Sequence, residues 1–146
     1  MLNAIASELF PTKEAARRPP FASDFEDGGT FKVPVLINGA IVLDFVVDSG
    51  AADVNIPVDV AMTLIRTGTL QDGDFLGSQN FILADGSTVP SQTFRIRSLK
   101  VGDHVIEDVT AEIGGVKSTL LLGQSFLSKF KAWSINNKQQ ALILER

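Results

Sequence analysis

The segment LDFVVDSGAAD, residues 43–53, drives an apolar strand straight into a carboxylate. By the two-residue period of a strand, Ile41, Leu43, Phe45 and Val47 share one face and Val42, Asp44 and Val46 the other. Asp48 stands at the strand end, and Ser49 and Gly50 turn the chain away. On its own, Asp-Ser-Gly is the composition of an ordinary turn. Asp and Ser bond nearby backbone, and Gly takes dihedrals closed to other residues. Whether Asp48 does more depends on what the rest of the chain sets beside it.

Composition removes most other chemistries. The chain has 146 residues, 45% of them hydrophobic, which suits one domain with a real core. The formal net charge is −4 and no long basic run occurs. Nucleic acid and anionic membrane surfaces are therefore not the expected partners. Without cysteine there is no disulfide, thiolate nucleophile or cysteine metal site. The single histidine, His104, cannot build a His₂ or His₃ metal site, and it falls in VGDHVIED, which reads as a turn between strands. No metal or cofactor is expected, and chemistry falls to the carboxylates. The start, MLNAIASELF, has neither the basic end nor the apolar length of an export signal. The expected location is cytoplasmic.

Residues 1–30 read as an N-terminal arm or linker, with a short helix over 2–10 and extended PTKEAARRPP and SDFEDGG runs. Residues 31–146 read as one mainly β domain. FKVPVLI and IVLDFVVD form a hairpin about NGA. A short strand covers 54–56. PVDVAMTLIRTG is a helix, with Pro57 in its first turn, Gly68 past its end, and Val60, Ala61, Leu64 and Ile65 as its apolar stripe. SQNFILADGSTVPSQTFRIRSLKVG is a long hairpin with its tip at 84–87. STLLLG is a buried strand, QSFLSKF a short helix, and KAWSINN and QQALILE the last strands. This pattern predicts a mainly β, closed barrel-like fold with one or two short helices.

Three segments taken together, VVDSGA (46–51), LADGS (83–87) and LLLGQSFL (120–127), resemble the retropepsins, and most closely their bacterial branch. These are the single-domain relatives of pepsin-like aspartic proteases. The resemblance covers residues 31–146 and implies a β-barrel with a glycine-containing flap hairpin. Carried over residue by residue, it makes Asp48 catalytic. Ser49, Gly50 and Ala51 support its loop, and the Ser49 hydroxyl braces the partner loop. Leu121, Leu122 and Gly123 form the strand crossing behind that loop. Ala84, Asp85 and Gly86 form the flap tip over an extended peptide. Asp53, Ile56 and Val116 border the substrate, with Val54, Phe81, Ile82 and the loop at 114–119 completing apolar pockets. Retroviral members pair an Asp after the acidic turn with an Arg after the later Gly. Here those places hold Ala52 and Gln124, which leaves that brace to something else.

Two further carboxylates compete with this assignment. Asp44 lies mid-strand on an outward or paired position, and Asp53 stands open between substrate contact and a solvated turn. Aspartic proteolysis takes two carboxylates around one water, and this chain has one Asp-Ser-Gly. The expectation is a homodimer with one Asp48 from each copy, cutting peptides or proteins near hydrophobic residues. The terminal strand either joins a dimer sheet or completes the core of its own chain. The rival expectations are a non-catalytic dimerisation or peptide-binding module, and an inactive monomer masked by residues 1–30. SELFPTKE in the arm adds a self-trimming hypothesis at Phe10–Pro11.

Overall fold

A computed structural model of the chain describes residues 30–82, 86 and 88–146. The first hairpin joins β1 (Lys32–Ile37) to β2 (Ile41–Val47), antiparallel. Asn38 and Gly39 both take positive φ, 50° and 69°, and Ala40 N–H donates to Ile37 C=O at 2.9 Å. This mirror-image turn matches the twist of the strands it joins. Val33, Val35 and Ile37 are fully buried, so β1 alternates as its period requires. On β2 both Phe45 and Val46 are buried, whereas Val42 and Asp44 are exposed. The strand enters the interior as it approaches Asp48.

β3 (Val54–Pro57) follows, then α1 (Val58–Arg66), with Pro57 at its N-cap. Ala61 and Leu64 face the core. Ile65, expected in the same stripe, is exposed together with Met62. At 100° per residue the contact made by Ala61 and Leu64 turns Ile65 to the flank. A 3₁₀ turn (Asp72–Asp74) leads into β4 (Phe75–Ile82), β5 (Thr88–Val101) and β6 (His104–Gly114). The Asp74 carboxylate is buried, 3.3 Å from Arg97 and 3.7 Å from Arg95, and also accepts from Gln71 N–H at 3.0 Å. Arg97 also donates to Thr69 C=O at 2.8 Å and Arg95 also faces Asp108 at 3.5 Å, so this cluster ties the post-helix turn to β5. β7 (Leu121–Leu122), α2 (Gln124–Leu127), β8 (Ala132–Asn136) and β9 (Ala141–Glu145) complete the chain.

The main sheet has the order β1-β2-β7-β3-β6-β5-β4, and β1 also pairs with β5 through Leu36↔Lys100 and Ile37↔Leu99. That extra pairing closes six strands into a ring, with β4 branching from β5. Phe45, Ile56, Phe94, Ile96, Val109, Leu122 and Phe126 fill the interior. β8 and β9 form a separate antiparallel pair, and Leu142 and Leu144 on β9 are buried in the same core. Within its own chain, then, the terminal strand is a core strand. His104 opens β6 with its ring edge-on to Phe130, at 5.5 Å between centroids.

The ring's least ordinary feature is β7. It runs parallel to β2 and antiparallel to β3, and lies between them. The chain leaves β2, turns through 48–53 and returns as β3, with β7 threaded between the two arms. Gly123 passes directly under this turn. A Cβ there would sit 2.4 Å from the Asp53 carbonyl oxygen and 2.7 Å from that of Ala51. Gly123→Ala should therefore cost about 3 kcal/mol or more, because the obstacle is backbone and cannot swing aside. Urea denaturation would check this, and an unchanged midpoint would contradict it.

Candidate active site

Asp48 is delivered by β2. Val46 N–H donates to Leu120 C=O at 2.8 Å, and Asp48 N–H to Leu122 C=O at 3.1 Å. On the other side Val47 N–H donates to Phe31 C=O at 2.8 Å. The backbone carrying the carboxylate is thus bonded alternately to both neighbours, and its position is set by the ring rather than by the turn. Asp48 is half-buried. Gly50 N–H donates to Asp48 Oδ1 at 2.9 Å, and a Cβ on Gly50 would come within 3.3 Å of that oxygen. Ala51 N–H closes the turn on Asp48 C=O at 3.2 Å. Ser49 and Gly50 are exposed, and the Ser49 hydroxyl makes no hydrogen bond to a described residue.

The crossing segment supports this turn from beneath. The first N–H groups of a helix lack partners in the helix itself. Here those of Gln124 and Ser125 donate to the Ala51 and Ala52 carbonyls, both at 2.8 Å. Ser125 Oγ donates to Thr110 C=O at 2.7 Å and accepts from Val54 N–H at 3.0 Å, joining β6 to the start of β3. Gln124 Nε2 donates to Ser49 C=O at 2.9 Å. Reasoning from sequence noted that Ala52 and Gln124 leave a brace unfilled but did not find its replacement. The signal was available: two polar residues directly after a close crossing, where loop carbonyls need donors.

The other expected site residues separate. Leu121 and Leu122 form β7, and Gly123 leads out of it beneath the turn. Asp53 is half-buried at the end of the turn. Val116 is 67% exposed in the loop after β6. Ile56 corrects the expectation of a substrate contact. It is 0% exposed, as is Val54, so both side chains point into the ring and belong to the core. On the opposite face of β3 is Asn55, itself buried, whose Nδ2 donates to Thr119 C=O at 2.7 Å and lies 3.2 Å from Ser118 Oγ. It ties down the loop leading into β7. Gly86 is an exposed bend with φ 88°. Ala84, Asp85, the side chains of Phe81 and Ile82, and the arm of residues 1–29 lie outside the described residues. Among the described residues no three His, Cys, Asp or Glu side chains gather as a metal ion would need. No helix among them is long and apolar enough to cross a membrane.

A carboxylate turn locked over a threaded strand, on a closed ring of short strands, defines the retropepsin-like class of aspartic protease folds. A family model described as "gag-polyprotein putative aspartyl protease" matches residues 33–129. The chain belongs to that family of retropepsin-like aspartic proteases. Among solved structures it is similar to a retropepsin-like aspartic protease from Rickettsia conorii, with 23% identity and a TM-score of 0.59. That match covers 80% of this chain and 91% of the other, and it supports the fold. No curated protein matches the chain.

Sequence reasoning also missed Glu112. In the β3–β6 register Glu112 is the partner of Asn55, two residues past Asp53. Burial raises the pKa of Asp53 above 3.8. Burial also raises that of Glu112 above 4.5, and the charge on Asp53 adds to the effect. The folded chain therefore holds protons that the unfolded chain releases. The stability these groups contribute is complete below the ordinary values and is lost as pH rises through the folded ones. Glu112→Gln should accordingly raise the melting temperature near neutral pH, with the gain shrinking below about pH 4. Thermal melts at the two pH values check this, and an equal gain at both would contradict it.

Proposed function

We propose that the chain is an aspartic endopeptidase that acts as a homodimer, with Asp48 of each copy meeting around one water. One observation carries this reading: the family's acidic turn is intact, rigidly mounted and present once per chain. Two carboxylates are needed, so a second copy supplies the other across a two-fold axis. The exposed Ser49 hydroxyl suits a bond to the facing loop of that copy.

The pair works while holding one proton. The ionised Asp48 takes a proton from water as the water oxygen attacks the scissile carbonyl carbon. The protonated Asp48 gives its proton to the carbonyl oxygen, leaving a neutral tetrahedral diol. One diol hydroxyl then returns its proton to the Asp48 left ionised, the Asp48 that took the water's proton passes it to the amide nitrogen, and the C–N bond breaks to give an acid and an amine, with the pair again holding one proton. The β4–β5 hairpin would close over the peptide. Val116, apolar and exposed on the loop after β6, favours hydrophobic side chains beside the cut.

Incubating a peptide library with the wild-type chain and with Asp48→Asn, over a range of protein concentrations, tests the proposal. Cleavage should fall at least about a hundredfold in the variant. For the wild type it should rise more steeply than linearly with concentration until the dimer is saturated. Equal cleavage by both proteins would overturn the assignment. Peptide binding without cleavage by either would favour the non-catalytic module.

A further inference from the structure

We infer that Gln124 is a positioning residue for the Asp48 carboxylate, acting through a single peptide group. The inference rests on the protease reading above but adds a residue to it. Ser49 C=O and Gly50 N–H belong to the same peptide unit. Its oxygen accepts from Gln124 Nε2 at 2.9 Å, and its N–H donates to Asp48 Oδ1 at 2.9 Å. The side-chain amide, the peptide and the carboxylate therefore form a chain of two hydrogen bonds. The direction of the first is fixed, because a carbonyl accepts only from the NH₂ end of the Gln124 amide.

Three features favour a tuned arrangement over an incidental contact. The Gln124 backbone is already anchored, since its own N–H donates to Ala51 C=O at 2.8 Å. Its side chain therefore starts from a set place, and only its own rotation must be ordered. Ser49 and Gly50 are exposed, and the peptide between them has no other bond from the chain among the described residues. Without Gln124 that peptide is free to rock, and its N–H would swing with it. Bonds in series also polarise one another, so donation to the Ser49 oxygen strengthens what the Gly50 N–H offers to Asp48. Gln124 thus fixes the aim of the carboxylate and the strength of the bond it accepts.

Two substitutions and two readouts test this. Gln124→Met keeps the length of the side chain and removes the donor, whereas Gln124→Lys restores a donor of similar reach. With full-length protein at saturating dimer concentration, Gln124→Met should lower kcat about three- to tenfold, the scale of one net hydrogen bond, with KM unchanged. Gln124→Lys should recover most of it. In ¹⁵N-labelled protein the Gly50 amide proton should move upfield in Gln124→Met and return in Gln124→Lys. A purely structural role would lower the melting temperature and leave kcat and the Gly50 resonance alone, which overturns the inference. A Gly50 resonance that moves in a protein cleaving nothing would sink the protease reading while upholding the link from Gln124 to Asp48.

Discussion

The passage of Gly123 beneath the 48–53 turn is the constraint on which the rest depends. β7 cannot lie between β2 and β3 unless the chain leaves it without a side chain, because two loop carbonyls occupy the space a Cβ would need. Once that crossing is made, α2 starts at one place only, and its first N–H groups meet the carbonyls of Ala51 and Ala52. The acidic turn is thus held from both sides, by β2 within the ring and by the crossing segment below. Hydrophobic burial supplies most of the stability of such a fold. Its direction, however, comes from a few polar contacts at the one place where the ring is threaded.

Around that crossing, side chains divide sharply by the atom they offer. Phe45, Val54, Ile56 and Leu122 are buried in the core and fix distances between strands. The polar residues at their ends, Asn55, Gln124 and Ser125, bond mainly to backbone. Carbonyls at 49, 110 and 119 each receive a side-chain donor. Few side chains on the turn therefore meet one another directly. The loop is shaped largely by its own main chain and by the donors that hold it.

Much of this could be read from sequence. The strand carrying Asp48, the NG turn, the Pro-initiated helix, the long hairpin and the Leu-Leu-Gly exit all fall close to where period and turn chemistry put them. Ile56 is a different case: Val54 and Ile56 alternate with Asn55, so the strand period already puts Ile56 on the buried face, and only the carry-over from the family made it a substrate contact. Ile65 fails because the helix's core contact is made by Ala61 and Leu64, with Val60 packed partly against it, which leaves Ile65 on the flank. What could not be read was placement set by distant partners. The β1–β5 closure and the reach of Gln124 to Ser49 join residues tens of positions apart, and no periodicity records them. The acidic neighbour of Asp53 was hidden in the same way, because Glu112 reaches it only through the parallel pairing of β3 and β6.

The length of β5 carries its own consequence. Its last residues are flanked by β6 and, at the end, by β1, whereas Thr88–Gln92 pair only with β4. One continuous strand therefore spans two regimes of local opening. Separating the hairpin end breaks a single ladder and leaves the ring intact, while releasing the far end requires the ring itself to come apart. Backbone amides along one strand would exchange with solvent at rates set by different events. The boundary falls near Thr93 and Phe94, where β4 and β6 hand the strand from one to the other.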